Sequence, residues 1–426
     1  MVLECLTRIP HLWDKLICSF IIRKAGFFMR DLPEDILIDI LSRLPGDYVL
    51  ECRRVCKQWL ALTLTPNFVE LHLKRATPVL FLPRLFDMFI FDERAKANQM
   101  IKKMSAELMS LESPHTPHLY GSCNGLLVLC ERFPNRLYFV WNPLTGERVT
   151  VRPPVYESEV CGFFFHPRTK DYRLLFKYAE GMDFKFFIYS LGGQLWRKLD
   201  NFPYEPSALA TTLNGALHWM VHPFRINDND DICSNSIMIF NMDTEEFCSK
   251  PHPGEGCISL EPHWDMCIFE MKGKLALYML DGLDVHVWVS EDYEKWIWGT
   301  RYLVGLHLDV ERYHLDVERY PFSNMYCDYG KSSLGFLDIQ NDELLFGWDL
   351  GGLFRCNLRE KTVEQIYGVG IKQTCQDSKS CPFARSKLER YYGLHFFVRY
   401  ANFERYEGLR FFVRYAKTFV SPSGFG

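Results

Sequence analysis

The chain has 426 residues, of which 48% are hydrophobic and 24% charged, so it can form a substantial core and about two or three domains. Its formal net charge of -4 gives no bias toward nucleic acid, and we expect no nucleic-acid partner. The 15 cysteines are scattered, which favours a reducing compartment (cytoplasm, nucleus or both) and offers no clustered zinc ligands. No apolar run reaches about 18 residues, so we expect no membrane span.

Residues 1–28 are predicted to be a poorly ordered N-terminal extension. An apolar stretch, Leu16–Ile22, is short, is followed by Arg23 and Lys24, and has no small-residue cleavage site after it. It is therefore a poor match to a signal peptide. Met29 is predicted to be an alternative start of translation.

Residues 31–75 have the pattern of three short helices. Pro33 suits the first helical position and Asp47 can cap a second helix. A third helix begins near Pro66. The apolar stripes of the first two helices are Ile36, Leu37, Ile40, Leu41 and Leu44, then Cys52, Val55, Cys56, Trp59 and Leu60. Such a module buries little apolar area on its own, so it either binds a partner or packs on the downstream domain; the pattern alone leaves both open.

From Tyr120 onward, short strand-like runs alternate with polar turns. A repeat is visible at a step of about 45 residues, the length of a four-stranded propeller blade. Its first turns are Asn124-Gly125, Lys170-Asp171, Asn214-Gly215, Lys272-Gly273 and Asn341-Asp342. Five units are visible, and a sixth is expected where the ends meet. We predict a β-propeller of about six blades at 120–420, after a linker with a possible closing strand at 76–119; a β-sandwich is the alternative.

Two segments are directly duplicated late in the chain. Residues 307–313 are repeated as 314–320, and residues 391–401 recur nearly unchanged as 406–416. These duplications do not follow the blade period. We interpret them as long loops or as a redundant strand.

The helical segment resembles the F-box of plant F-box proteins through Leu32-Pro33-Glu34-Asp35-Ile36-Leu37-Ile38-Asp39-Ile40-Leu41-Ser42-Arg43-Leu44-Pro45 and Arg53-Arg54-Val55-Cys56-Lys57-Gln58-Trp59. The remainder is similar to that family's F-box-associated, kelch-like propeller region. The matching pieces are Gly121-Ser122-Cys123-Asn124-Gly125-Leu126, Trp141-Asn142-Pro143 and Asp292-Tyr293-Glu294-Lys295-Trp296.

The resemblance implies an α plus all-β protein that docks on a Skp-type adaptor of a cullin–RING ubiquitin ligase. Its propeller would bind a target protein for ubiquitination. The adaptor-docking or scaffold residues that it implies are Leu32, Pro33, Ile36, Leu37, Leu41, Leu44, Pro45, Val49, Leu50, Val55, Cys56 and Trp59. The sequence departs from the family pattern at Gly46-Asp47-Tyr48 and at Glu51. These departures motivate an alternative, a protein-interaction propeller that works without the ligase.

No catalytic motif is recognisable, so we expect a non-enzymatic protein with no cofactor and no metal. The acidic run at 227–231 lacks the glycine and terminal glutamate of an EF-hand loop, which favours a solvated loop. An enzyme or lectin built on a propeller remains a second alternative. It would require convergent polar side chains in a central channel.

Overall fold

The computed structural model of the chain describes most of the two predicted regions. The described residues are 33–76, 78–84, 87–91, 101–104, 118–131, 136–180, 183–206, 210–221, 233–253, 266–281, 284–305, 334–340, 343–348, 352–357, 362–368, 413–416 and 420–422. The predicted N-terminal extension and the acidic run at 227–231 lie outside them. No helix within these ranges is long and apolar enough to cross a membrane.

Four helices come first in the described chain. They are α1 (Glu34–Leu41), α2 (Gly46–Arg53), α3 (Lys57–Thr63) and α4 (Pro66–Arg75). Pro33 is the N-cap of α1, and the α4 N-cap is Thr65, whose hydroxyl accepts from the Phe68 amide at 3.3 Å. This capping bond satisfies one of the amides that every helix start leaves unpaired.

The prediction of three helices is wrong, because the predicted second helix is two helices. α2 ends at Arg53, and Cys56 adopts an extended backbone with φ -159° before α3 begins. The apolar positions from Cys52 to Leu60 therefore belong to two helices rather than to one stripe. Pro45, not Asp47, is the N-cap of α2, and no side chain caps that end.

The rest of the described chain forms six four-stranded antiparallel sheets. Sheet 1 contains β1 (Pro78–Arg84), β2 (Asp87–Phe91), β3 (Ile101–Met104) and the last strand, β24 (Val413–Ala416). Sheet 2 contains β4 (His118–Cys123), β5 (Leu126–Glu131), β6 (Leu137–Trp141) and β7 (Arg148–Val151). Sheet 3 contains β8 (Glu159–His166), β9 (Asp171–Glu180), β10 (Asp183–Ser190) and β11 (Leu195–Lys198).

The remaining three sheets repeat the same up-and-down order. Sheet 4 contains β12 (Thr211–Leu213), β13 (Ala216–Met220), β14 (Ile237–Asn241) and β15 (Phe247–Lys250). Sheet 5 contains β16 (Met266–Met271), β17 (Lys274–Asp281), β18 (Asp284–Asp292) and β19 (Ile297–Gly305). Sheet 6 contains β20 (Leu334–Gln340), β21 (Glu343–Trp348), β22 (Gly352–Asn357) and β23 (Thr362–Gly368). Six separate meanders are not the two packed sheets of a sandwich, so that alternative is wrong.

The repeated turns of the sequence join the first two strands of successive sheets. Asn124 and Gly125 have φ of 50° and 82°, and Asn214 and Gly215 have 48° and 73°. Two successive residues with positive φ are typical of the type I′ turn, whose twist matches that of the flanking strands. The second polar turn also repeats, since the side-chain oxygens of Asn142 and Asn241 each accept two backbone amides that follow them.

Sheet 1 is built from both ends of the described chain. β24 pairs antiparallel with β1, from Pro78 opposite Ala416 to Phe81 opposite Val413. Strands β1 to β3 lie inside the segment 76–119 that the sequence predicts as a linker with a possible closing strand. β24 comes from the second copy of the longer duplication, and the first copy lies outside the described residues.

Neighbouring sheets pack on each other through apolar faces. Between sheets 3 and 4, Trp219 is fully buried, and its indole N–H donates to the carbonyl of Cys161 at 2.8 Å. A Cβ on Gly162 would lie 2.6 Å from Cδ1 of the buried Leu217 and 3.4 Å from the Trp219 ring. Gly162 therefore allows β8 to approach sheet 4 closely.

Replacing Gly162 with valine is expected to lower the free energy of unfolding by about 1–3 kcal/mol, because the added carbons overlap a packed core. Gly162→Ala should cost less, since it adds one methyl group. Urea denaturation of both variants measures the effect. Unchanged midpoints for both would show that sheets 3 and 4 do not pack this closely.

A buried histidine links sheets 4 and 5. The His218 Nδ1–H donates to the Thr211 carbonyl at 3.1 Å, and the Tyr293 hydroxyl donates to His218 Nε2 at 2.7 Å. In the neutral ring Nδ1 carries the proton and Nε2 accepts, which satisfies both nitrogens. Burial lowers the pKa of His218 to about 4.

The His218 contribution to stability is expected to disappear as pH falls. The unfolded histidine takes up a proton near pH 6.5 and the folded one only near its lowered pKa of about 4. Between these values the unfolded state binds more protons, so acid favours unfolding, by at most about 3 kcal/mol. The free energy of unfolding is measured at pH 7 and pH 5 for the wild type and for His218→Gln. The free energy of unfolding of the variant should depend less on pH. Equal pH dependence of the two proteins would contradict it.

The four helices lie at one end of the sheets, here called the helix end. In every meander the turns between strands one and two and between strands three and four share one end. Lys170, in the β8–β9 turn, interacts electrostatically with Glu70 of α4, and Glu147, in the β6–β7 turn, does so with Arg53 of α2. We call the opposite end, with the loops β5–β6, β7–β8 and β11–β12, the far end.

The C-terminal tail also packs at the helix end. The side-chain amide of the buried Asn142 donates to the Val420 carbonyl at 2.8 Å. Val420 is fully buried in an apolar cluster that also contains Leu37, Val49 and Phe68 of the helices and Leu126 of sheet 2. The helices, sheet 2 and the tail therefore share one continuous core.

Candidate functional site

Four of the residues predicted for docking form the core of the helical module. Leu37, Leu41, Val49 and Trp59 are all fully or almost fully buried. Because a buried side chain has no surface to offer a partner, these residues hold the helices together. They can affect docking only through the shape of the module.

The other predicted residues reach the surface to different extents. Pro33, Ile36 and Pro45 are exposed, with Ile36 at 43%. The half-buried ones are Leu44, Leu50, Val55 and Cys56. Leu32 lies outside the described residues.

The structure adds two exposed leucines that the sequence reasoning did not select as docking residues. Leu60 is 41% exposed and Leu64 is 59% exposed, both on or directly after α3. We call Ile36, Leu60 and Leu64 the exposed apolar set. α1 and α3 contact each other, so the set lies on neighbouring helices. Leu60 belongs to the apolar stripe seen in the sequence, which could have indicated it as a docking residue. Leu64 follows the end of α3 and does not belong to that stripe.

Arg75 of α4 fastens α4 to α1. Its guanidinium donates to the Asp39 carboxylate at 2.6 Å, to the Ser42 hydroxyl at 2.6 Å and to the Asp39 carbonyl at 2.9 Å. Hydrogen bonds from Arg43 and Arg75 hold the pKa of Asp39 below its usual value. A fixed guanidinium with several planar bonds gives a defined helix orientation.

Two further contacts orient α2, α3 and α4. Arg53 Nε donates to the Thr63 hydroxyl at 3.1 Å and its Nη2 to the Thr63 carbonyl at 3.0 Å, which joins α2 to the end of α3. The buried His72 of α4 donates from Nε2 to the Leu44 carbonyl at 3.0 Å. Burial lowers the pKa of His72, which favours its neutral form. The exposed apolar set thus lies on helices that are mutually fixed.

The departures from the F-box pattern do not disturb these helices. Gly46, Asp47 and Tyr48 form the first turn of α2, and Tyr48 packs partly buried against the shared core. Glu51 forms an exposed ion pair with Arg54 at 3.5 Å. Exposed pairs of this kind contribute little stability, so Glu51 changes the surface charge more than the fold.

Within the described ranges, no group of three or more His, Cys, Asp or Glu side chains is placed to hold a metal ion. The candidate functional site is a docking surface, made of the exposed apolar set on the mutually fixed helices.

Two family profiles match the chain. Residues 29–71 match the F-box domain, and residues 79–318 match the F-box associated beta propeller domain. The second match spans more than half of the chain. Its start at residue 79 agrees with β1, the first strand of sheet 1.

Curated relatives in Arabidopsis thaliana are described as F-box proteins. One F-box protein is 24% identical over 326 residues, covering 67% of this chain and 75% of the relative. A second is 26% identical over 249 residues, covering 51% and 69%. Among solved structures, one chain of a nidogen/laminin complex matches with a TM-score of 0.37. The match is 10% identical and covers 68% of this chain and 92% of that one.

Proposed function

Because the chain belongs to the F-box proteins that carry an F-box associated beta propeller domain, we propose that it is the substrate-recognition subunit of a cullin–RING ubiquitin ligase. The F-box helices dock on a Skp-type adaptor, and the propeller binds the target protein. Catalysis is by proximity, since the target is held near a ubiquitin-loaded enzyme, and no chemistry resides in this chain. The protein acts in the cytoplasm, the nucleus or both.

The observation that carries the proposal is the exposed apolar set on the F-box helices. Ile36, Leu60 and Leu64 remain in solvent although the helices share a core with sheet 2. Exposed apolar side chains on mutually fixed helices are well suited to bind a partner, because the chain loses little conformational entropy on binding. Within the predicted docking residues, Pro33, Ile36 and Pro45 contact the adaptor, and the buried residues shape the module.

The proposed propeller consists of the six sheets as six blades around one axis, closed by β24. Contacts between consecutive sheets support it, since β4 contacts β8, β12 and β13 contact β16, and β16 contacts β20. Blades stacked in this way bury the faces that a single blade would expose. The F-box then occupies 31–75, and the propeller begins near β1 rather than at residue 120.

Affinity purification of the full chain with proteasomal degradation blocked tests the function. The wild type is expected to recover a Skp-type adaptor, a cullin and ubiquitinated target proteins. Leu32→Ala with Pro33→Ala is expected to lose adaptor and cullin while it keeps proteins bound by the propeller. A wild type that recovers no adaptor would overturn the ligase role and favour the ligase-independent propeller.

A further inference from the structure

One loop at the far end presents exposed apolar side chains on a braced backbone. It joins β7 to β8, and at its tip Val155 is 36% and Tyr156 is 63% exposed. The Ser158 amide donates to the Val155 carbonyl at 2.9 Å, which closes the tip as a turn. The F-box packs at the other end of the same sheets, so adaptor docking leaves this tip accessible.

A half-buried arginine and a buried tyrosine beneath the tip hold it in place. Nη1 of Arg136 donates to the carbonyls of Glu157 and Ser158 at 3.4 and 3.5 Å and to the Glu159 carboxylate at 3.1 Å. The Tyr138 hydroxyl, fully buried in sheet 2, also donates to the Ser158 carbonyl at 3.2 Å. A loop that is already ordered loses little conformational entropy when it binds.

The charged groups beneath the tip pair with one another, and the two charged side chains of the loop itself, Arg152 and Glu157, are exposed and of opposite sign. Glu159 accepts from Arg136 and lies 3.9 Å from Lys177, and Lys177 also pairs with Glu205 at 2.9 Å. Both cations are largely buried, with side-chain exposures of 18% and 16%. A phosphate group on a partner would have to displace these carboxylates from their cations. The balance therefore disfavours a phosphorylated partner and favours an apolar one.

We propose that the β7–β8 loop is the target-contacting element of the receptor, and that Val155 and Tyr156 pack against an unphosphorylated, apolar segment of the target protein. Tyrosine is enriched among the residues that dominate binding energy at protein interfaces, because it offers a large apolar ring with few rotatable bonds. Arg136 is a positioning residue that holds the loop. The inference rests on the proposed function, in which the propeller binds the target.

The test uses the full chain and a phage-displayed library of random, unphosphorylated peptides as the probe. Enriched peptides are synthesised, and their dissociation constants are measured by fluorescence anisotropy. We expect peptides with apolar residues whose affinity falls at least tenfold in Val155→Ser with Tyr156→Ser. Arg136→Gln should also weaken binding, and Arg136→Lys less so.

The matched control is Leu195→Ser on β11, which also changes a strongly exposed apolar side chain, at 70% exposure. It should leave peptide affinity within twofold of the wild type. Equal affinity for the wild type and the loop variant, no enrichment of any peptide, or binding only after phosphorylation of the peptides would each overturn the proposal. Adaptor affinity is measured on the same proteins, so a failure of the loop is distinguished from a failure of the ligase role.

Discussion

Replacing both Ile36 and Leu64 by aspartate is expected to weaken binding to a Skp-type adaptor by at least about 100-fold without unfolding the protein. Burial of one aliphatic side chain contributes about 1.5–3 kcal/mol, and each 1.4 kcal/mol is about tenfold in affinity. A carboxylate placed in the interface adds a desolvation cost. Both side chains are substantially exposed, so the folded module should tolerate the change. Isothermal titration of the purified chain with the adaptor measures the effect.

Leu303→Asp is the matched control, since it places the same charge at a leucine that is 65% exposed and lies in the half of β19 nearer the far end. It should bind the adaptor like the wild type. Circular dichroism and urea midpoints of all three proteins show whether each is folded. Equal adaptor binding by the double variant and the wild type would show that the exposed apolar set is not the docking surface.

Replacing Trp219 with alanine is expected to lower the free energy of unfolding by about 3–5 kcal/mol. The ring is fully buried between sheets 3 and 4, beside Gly162, so its removal leaves a cavity that the close-packed sheets cannot fill. The Cys161 carbonyl also loses the indole donor that lies 2.8 Å away. Denaturant titration, followed by circular dichroism, gives the change.

Two comparison variants separate the contributions at Trp219. Trp219→Phe keeps most of the ring volume and removes the hydrogen bond, so it should fall between the wild type and the alanine variant. Trp196→Ala, on the outer strand β11 where the ring is 36% exposed, should cost less than Trp219→Ala. A loss below about 1 kcal/mol for Trp219→Ala would contradict the close packing of neighbouring sheets.

The repeating turns were predictable from sequence because they depend on local chemistry. Asn124-Gly125 and Asn214-Gly215 adopt the positive φ that only a few residues tolerate, so each marks a hairpin whatever surrounds it. His218 and Trp219, on the strand that follows the second of these turns, are fully buried.

Features that depend on distant contacts were not predictable. The extended backbone at Cys56 lies within an apolar pattern that continues through it. Periodicity indicates which side of a segment is apolar and not whether its backbone stays helical, so this break could not be predicted. A sixth unit where the ends meet was expected, but the pairing of β24 with β1 could not be predicted, because neither strand shows its partner. The pattern also gave no way to tell the buried Leu37 from the exposed Ile36, because a docking surface and a core both require apolar side chains.

The most direct test of the receptor role is binding of the wild-type full chain to a purified Skp-type adaptor, measured by isothermal titration and by co-elution in gel filtration. We predict a saturable one-to-one complex with a Kd below about 1 μM, equivalent to about 8 kcal/mol of binding free energy. Absence of both heat and co-elution at about 100 μM protein, far above that Kd, would contradict the assignment of this chain to a ubiquitin ligase.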